Sequence, residues 1–449
     1  MSAPSTLSGY DMFITLLARL GSICLGALIA CLLLLKRLAD LDASLLPEDL
    51  RRCPLPKFLM ALTFPGILVL WGLVAAARVL YFGLGETALD DYFGFGLWIT
   101  FDLAVIALGA GAFFSGLLRY ILNIDALKSI INLAVVLGFL CYTGAMLVLV
   151  LDIGQPLRAW FGYWHANVHS MLTEVIFCIT CYCIVLVIEY VPLILENRIS
   201  RRLPLIHALT HNMHVVMPLF AGIGAFLSTF HQGSLGGMYG VLFGRPYVYR
   251  DGFFIWPWTF FLYVLSAVAS GPLFTTLICT IMEKFSGRRL VSWSVKQLMG
   301  KIGGTMLIVY ITFKLIDTWA WMNKLLPRQG LTFDQMFHGT MYGKWLLFTE
   351  LFVCGVLPAA LLSMPKLRGN PRLFYLSAIL VCVGVTINRY VMTVQTLAMP
   401  ILPFDTWQCY NPNWVEWAAS SLVVGYAWIV LALSYRYLPM FPQERELNR

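Results

Sequence analysis

The stretch DIGQPLRAWFGYWHANVHSMLTEVIFCITCYCIVLVIE, residues 152–189, decides the fold. A polar loop with Asp152, Arg158, His165, Asn167 and His169 runs into an apolar segment, 168–195, long enough to span a bilayer as a helix of about 20 residues. That segment carries Glu174 and Glu189. A carboxylate at the centre of a spanning helix opposes insertion by roughly 2.5–3.5 kcal/mol on translocon scales, so two on one helix point to function. The competing account makes both of them hydrogen-bonded structural residues.

Composition agrees with a membrane chain. Of the 449 residues, 59% are hydrophobic and 12% charged, against roughly 25% charged in soluble domains. The formal charge of +8 comes from short basic runs between apolar segments, a pattern that orients helices in a bilayer rather than binding nucleic acid. Several of the eleven cysteines, among them Cys24, Cys31, Cys141, Cys279, Cys354 and Cys382, lie inside apolar segments and read as small hydrophobes. Residues 1–10 lack a basic region and no cleavage site follows 13–35, so the first helix is expected to stay.

Working outward, the hydropathy predicts an all-α polytopic bundle of about eleven spans, near 13–35, 60–80, 96–122, 130–151, 168–195, 214–231, 257–282, 302–322, 344–364, 373–397 and 415–437. Alternating connections divide Lys and Arg 21 against 6. That asymmetry predicts a multi-pass membrane protein with the N-terminus outside and the C-terminus inside. The expected organisation is an extra helix and inner loop (1–59), a second helix and outer loop (60–95), a first four-helix bundle holding the site (96–240), a second four-helix bundle (241–397), and an outer loop, last helix and tail (398–449). The long aromatic connections 232–256 and 398–414 read as docking surface or as a headgroup-level aromatic belt.

With that orientation, Asp102, His169, Glu174, Glu350 and Glu416 come early in inward-running spans, and Asp152, His231, Asp317 and Arg389 come late in outward-running ones. All share one outer depth, which predicts a polar cavity open to the outer face. Glu189 is the exception, about 22 Å further along its helix than Glu174.

Three chemistries fit such a cavity. His169 and His231 on consecutive spans have the placement of axial ligands to a single b-type haem. A second haem has only His207, His211 and His214, which share one segment. Cys178, Cys181 and Cys183 lie mid-membrane without a fourth cysteine at their depth, which favours packing over cluster ligation. A secondary transporter would also use a polar cavity, but paired Gly/Pro-broken helices are not evident around it. No phosphate-binding Gly-rich loop is visible. A quinone fits best: its tail enters from lipid, and His and carboxylate groups bond its oxygens and exchange its protons. The expected site is Asp102, His169, Glu174 and His231 with Gln232 and Asn167, and Asp152 and Arg158 hold the loop. Asp102, His169 and Glu174 would carry the proton chemistry, Glu174, Tyr182 and Glu189 a proton path, and Asp317, Glu350 and Arg389 a polar cluster in the second bundle.

At these residues the sequence resembles the NrfD/PsrC/HybB-type integral membrane subunits of polysulfide reductase, group 1 hydrogenase, alternative complex III and menaquinone reductase. The resemblance rests on FGLG at 82–85, GLWITFDL at 96–103, Asn167, Ser170, Glu174, Tyr182 and Glu189, TFHQGSLG at 229–236, Asp317, Glu350, LFYLSA at 373–378, Arg389, WVE at 414–416 and YLPMFP at 437–442. It covers about 60–442 and looks closest to the menaquinone-reductase branch, from the outer loop at 244–258, then to the hydrogenase branch. His169, where hydrogenase-type members tend to have Asn, and the span at 13–35 depart from the pattern. The resemblance implies a menaquinone-binding subunit without haem or iron-sulfur cluster of its own, and not active alone. Its implied partner is a periplasmic ferredoxin-like iron-sulfur subunit, with further redox subunits of multihaem cytochrome c, molybdopterin or hydrogenase type.

Overall fold

The computed structural model describes residues 34, 36–47, 52–197, 203–253 and 256–448. Ten of its helices are long and apolar enough to cross a membrane. They are α1 (Thr63–Phe82), α2 (Leu97–Ile121), α3 (Ile131–Asp152), α4 (Met171–Leu195), α5 (Pro204–Gly240) and α6 (Trp258–Ser286), followed by α7 (Trp293–Arg328), α8 (Lys344–Ser363), α9 (Pro371–Ala398) and α10 (Trp414–Tyr437). The span expected at 13–35 lies almost wholly outside the described residues.

Helices α2 to α5 pack as one four-helix group and α6 to α9 as another, while α1 pairs with α10 and leans on α3. The two groups meet where α2 crosses α6. At that crossing a Cβ on Gly271 would come within 2.3 Å of the Gly111 backbone, and one on Gly111 within 2.6 Å of the Gly271 carbonyl. Only glycine lets the two backbones approach so closely, the usual solution where lipid supplies no hydrophobic drive between helices. The residue at each position therefore sets the distance between the bundles.

Two helices outrun their apolar stretches. α5 continues to Gly240, nine residues past the expected 231, so the outer loop begins near 241 rather than 232. His231, Gln232 and Ser234 end the apolar run, yet all three have no exposed surface. Their polarity is hidden from lipid by neighbouring helices, so it does not end the helix. α7 likewise runs over Lys296, which is 3% exposed and pairs with Glu283 at the end of α6.

Four stretches wind as π-helix: Leu117–Ile121, Trp321–Leu325, Thr349–Val356 and Val391–Gln395. Three of them lie in the second bundle beside its ionisable residues. Glu350 sits within one, Arg389 two residues before another, and Asp317 four residues before the third. Single π turns re-aim side chains inside otherwise regular helices and are frequent at functional sites.

The connections at the end of the bundle that carries few basic residues are tied down by backbone-directed bonds. Glu416 accepts from the backbone N–H groups of Ala88 and Asn413 and from the Tyr410 hydroxyl, and forms a capping box with Asn413 at the start of α10. Glu416 is thus a cap and not a cavity residue. On the opposite face, where the basic connections lie, a short helix at 36–45 brings Asp42 under Arg436. The guanidinium donates to both carboxylate oxygens at 2.7 Å and Tyr437 adds a third bond at 2.7 Å.

Those bonds from Arg436 hold the Asp42 carboxyl below its ordinary value. A lowered folded value means the tie is complete above the unfolded carboxylate value, about 3.9, and is lost as pH falls through the folded one. The thermal midpoint of the full chain in detergent should therefore drop on acidification below about pH 4. Asp42→Asn should flatten that acid limb, and an unchanged limb in the variant would assign the acid response elsewhere.

Candidate functional site

Asp102 on α2 is 4% exposed, and its Oδ1 has no hydrogen-bond partner. The Asp152 carboxyl, on the last residue of α3, lies close enough to repel it and also leaves Oδ1 unpartnered. Tyr239, two turns beyond His231 on α5, feels both carboxylates and also Tyr263 and Arg389 of the second bundle. The hydroxyl of Tyr239 is buried without a partner, and that of Tyr263 faces Arg389 without a well-aligned bond. Along α5, Gln232 donates to the Tyr142 hydroxyl at 3.5 Å, which bonds Ser228 at 2.8 Å. The His231 ring stands 5.6 Å from the Tyr142 ring, and Tyr182 packs edge-on against Tyr142 at 4.6 Å. The His231 ring faces the Val175 backbone without a well-aligned hydrogen bond at either nitrogen, and Gln232 Oε1 and Ser234 Oγ are orphaned.

Buried polar atoms are almost always satisfied, and leaving one bare costs about 1–3 kcal/mol. Those of Asp102, Asp152, His231, Gln232, Ser234 and Tyr239 lie on α2, α3 and α5 and spread over about two helical turns, a polar layer of the first bundle that expects waters or a polar ligand.

Other expected site residues sit at the rim. Arg158, Asn167 and His169 are exposed. The Asn167 side chain accepts from the His169 backbone N–H at 3.0 Å, so this pair shapes the entry to α4. Arg158 helps line an open outer groove of about 570 Å³ with Leu84, Ile153, Gly154, Gln155 and Ala159. Ile153 follows Asp152, and so the groove lies one residue from that half-buried acid. Glu174 is half-buried in the first turn of α4. The structure thus buries Asp102, His231 and Gln232, leaves Asp152 half-buried, and holds Arg158, Asn167 and His169 at the surface. Tyr182 is 1% exposed, and Glu189, half-buried, lies within its electrostatic reach.

In the second bundle Arg389, 1% exposed, donates to Asn388 Oδ1 at 2.6 Å and Ser266 Oγ at 2.9 Å, with its guanidinium 3.5 Å over the Tyr263 ring. Asn388 donates to Glu350 Oε1 at 2.9 Å, and Lys314 approaches the same oxygen at 3.3 Å. Asp317 instead bonds Arg250 of the connection between α5 and α6, at 3.0 and 3.1 Å. Sequence reasoning grouped Asp317, Glu350 and Arg389 but overlooked Lys314, Arg250, Tyr239 and Tyr263. Lys314 carried a signal, a cation inside an apolar span; Arg250 and the two tyrosines carried none.

Among the described residues no group of three or more His, Cys, Asp and Glu side chains could hold a metal ion. Cys183 donates to Met146 Sδ at 3.1 Å, and Cys181 is exposed. The side chains of His207, His211 and His214 lie outside the described residues.

The family described as "Polysulphide reductase, NrfD" matches residues 85–400. The "Menaquinone reductase, integral membrane subunit" of Nitratidesulfovibrio vulgaris is 75% identical over 409 residues, 91% of this chain and 98% of that protein. The "Probable Ni/Fe-hydrogenase 2 b-type cytochrome subunit" of Escherichia coli is 25% identical, covering 86% and 93% of the two chains. A selenate reductase subunit of Mesobacillus selenatarsenatis is 20% identical, covering 82% and 91%.

Proposed function

The chain belongs to the polysulphide reductase NrfD family, and on that premise we propose that it binds menaquinone in the orphaned polar layer of its first bundle. It is an integral membrane subunit of a menaquinone-reductase-type respiratory complex. The observation that carries the quinone reading is the layer itself. Asp102, Asp152, His231, Gln232 and Tyr239 present unpartnered polar atoms between helices, beneath a groove at Arg158. A quinone head offers two oxygens for such groups, and its reduction consumes two protons that carboxylates and His supply. Electrons come from or go to a periplasmic iron-sulfur subunit docked on the outer aromatic loops. There His338 and Tyr342 stack on Trp407 with ring centroids 5.5 and 5.8 Å apart.

Photolabelling of the purified complex with an azido-menaquinone tests the placement. Labelled peptides should come from α2, α3 and α5 and be displaced by excess menaquinone. Label confined to the second bundle, or insensitive to competitor, would remove the site from this layer. The mono-haem reading is tested on the subunit purified alone, which should show no reduced-minus-oxidised b-type band.

Proton supply in this reading follows Glu174, Tyr182 and Glu189 along α4. Tyr182 and Glu189 are seven residues apart and so point within about 20° of each other at 100° per residue. Bridging waters complete the path. In proteoliposomes Glu189→Gln should abolish proton uptake from the inner side during quinone reduction while quinone still binds. Unchanged uptake per quinone in a stable variant would make Glu189 structural.

A further inference from the structure

We propose that the end of α6 and the C-terminal tail together form a binding site for the phosphate head group of an anionic phospholipid. The site lies on the face that carries most of the basic connections, away from the quinone layer. A pocket of about 420 Å³ opens there between Thr280, Glu283, Lys284 and Gly287 of α6 and its C-cap, Arg288 and Arg289 of the following turn, and Leu447 and Asn448 of the tail.

The tail is a built wall of this pocket. Asn448 accepts from the Arg289 backbone N–H at 3.1 Å and donates to the Arg289 and Glu444 carbonyls at 2.7 Å each. Glu444 is 1% exposed and anchors the tail by accepting from Arg52 at 2.6 Å, Tyr435 at 3.1 Å and Arg288 at 3.4 Å.

Charge is left over once these ties are made. Glu283 is taken up by Lys296 and by the backbone N–H groups of Leu290 and Val291. Glu444 is shared between Arg52 and Arg288. Lys284 and Arg289 remain exposed, with no acidic partner for either side chain among the described residues. Three cations, Lys284, Arg288 and Arg289, therefore line the pocket against one carboxylate, Glu283, which is already engaged.

The adjoining side of α6 says which phosphate this is. Ile281 and Phe285 are 47% and 75% exposed. Phe285 meets Trp428 at 5.8 Å, and Trp428 meets Phe64 at 5.9 Å, giving an apolar shelf from three helices beside Lys284. A basic pocket next to a lipid-facing apolar shelf at the end of spanning helices matches a head group with its acyl chains and not a free anion. Cardiolipin, with two phosphates, suits the excess of charge.

The test uses the full chain in its complex, reconstituted in nanodiscs of phosphatidylcholine alone or with cardiolipin, and separately with inorganic phosphate. Cardiolipin should raise the thermal midpoint and inorganic phosphate should not. Lys284→Gln with Arg289→Gln should weaken cardiolipin retention roughly tenfold or more and remove the shift. The matched exposed pair Lys366→Gln with Arg372→Gln should keep it. No shift with cardiolipin, an equal shift in the Lys284/Arg289 variant, or an equal shift from phosphate alone would each overturn the proposal.

Discussion

Asp102→Asn should lower quinone turnover by about two to four orders of magnitude, the range expected when a positioned acid or base is removed, and should leave the complex assembled. Asparagine keeps the shape of the side chain and loses the proton. Asp102 Oδ1 makes no hydrogen bond that the amide would break, so little structural loss is expected. Asp102 lies within electrostatic reach of Asp152, which precedes the groove residue Ile153, and in the proposed site the two carboxyl groups, bridged by water, relay a proton towards the quinone that the substitution would cut. Turnover with menaquinone analogues, measured together with the thermal midpoint and the set of proteins that purify together, separates the outcomes. Normal turnover would take Asp102 out of the proton chemistry, and loss of partner subunits would make it a structural group.

The helical architecture was legible because hydrocarbon imposes a simple rule: a span is a long apolar run. Ten of the eleven expected runs are helices here, and the eleventh lies almost wholly outside the described residues. The rule fails where a polar run is hidden inside protein, which is why α5 passes its expected end at 231 and carries Gln232 and Ser234 into the bundle.

The candidate site was legible by depth but not by facing. Asp102, Asp152 and His231 stand out in the sequence because buried polar groups in a membrane are costly, and the structure leaves polar atoms of all three without a hydrogen bond. His169 shares their depth, yet it lies exposed in the turn before α4, and a depth argument has no term for that. Tyr239 and Tyr263 escaped for the opposite reason, since a tyrosine in a span looks like ordinary packing until its hydroxyl is seen to lack a well-aligned bond.

Arg250 was equally invisible, and its removal carries the largest expected stability loss. Its Nε donates to both Asp317 oxygens, its Nη1 to the carbonyls of Tyr247 and Tyr249 at 2.9 Å each, and its guanidinium lies 5.0 Å over the Trp321 ring. Both charged side chains are 6–7% exposed. Arg250→Ala should cost about 3–5 kcal/mol, because it strands the Asp317 carboxylate with no counter-charge. The connection from 241 to 257 would lose its anchor on α7 at the same time.

The double variant Arg250→Met, Asp317→Leu should recover most of that loss, since replacing a buried pair by apolar groups of similar size is often neutral or stabilising. Thermal unfolding of wild type, both single variants and the double variant completes the cycle. Recovery in the double variant assigns the cost to the stranded charge. A double variant as unstable as Arg250→Ala would instead place the cost in the freed carbonyls of Tyr247 and Tyr249, and the pair with Asp317 would then contribute nothing of its own.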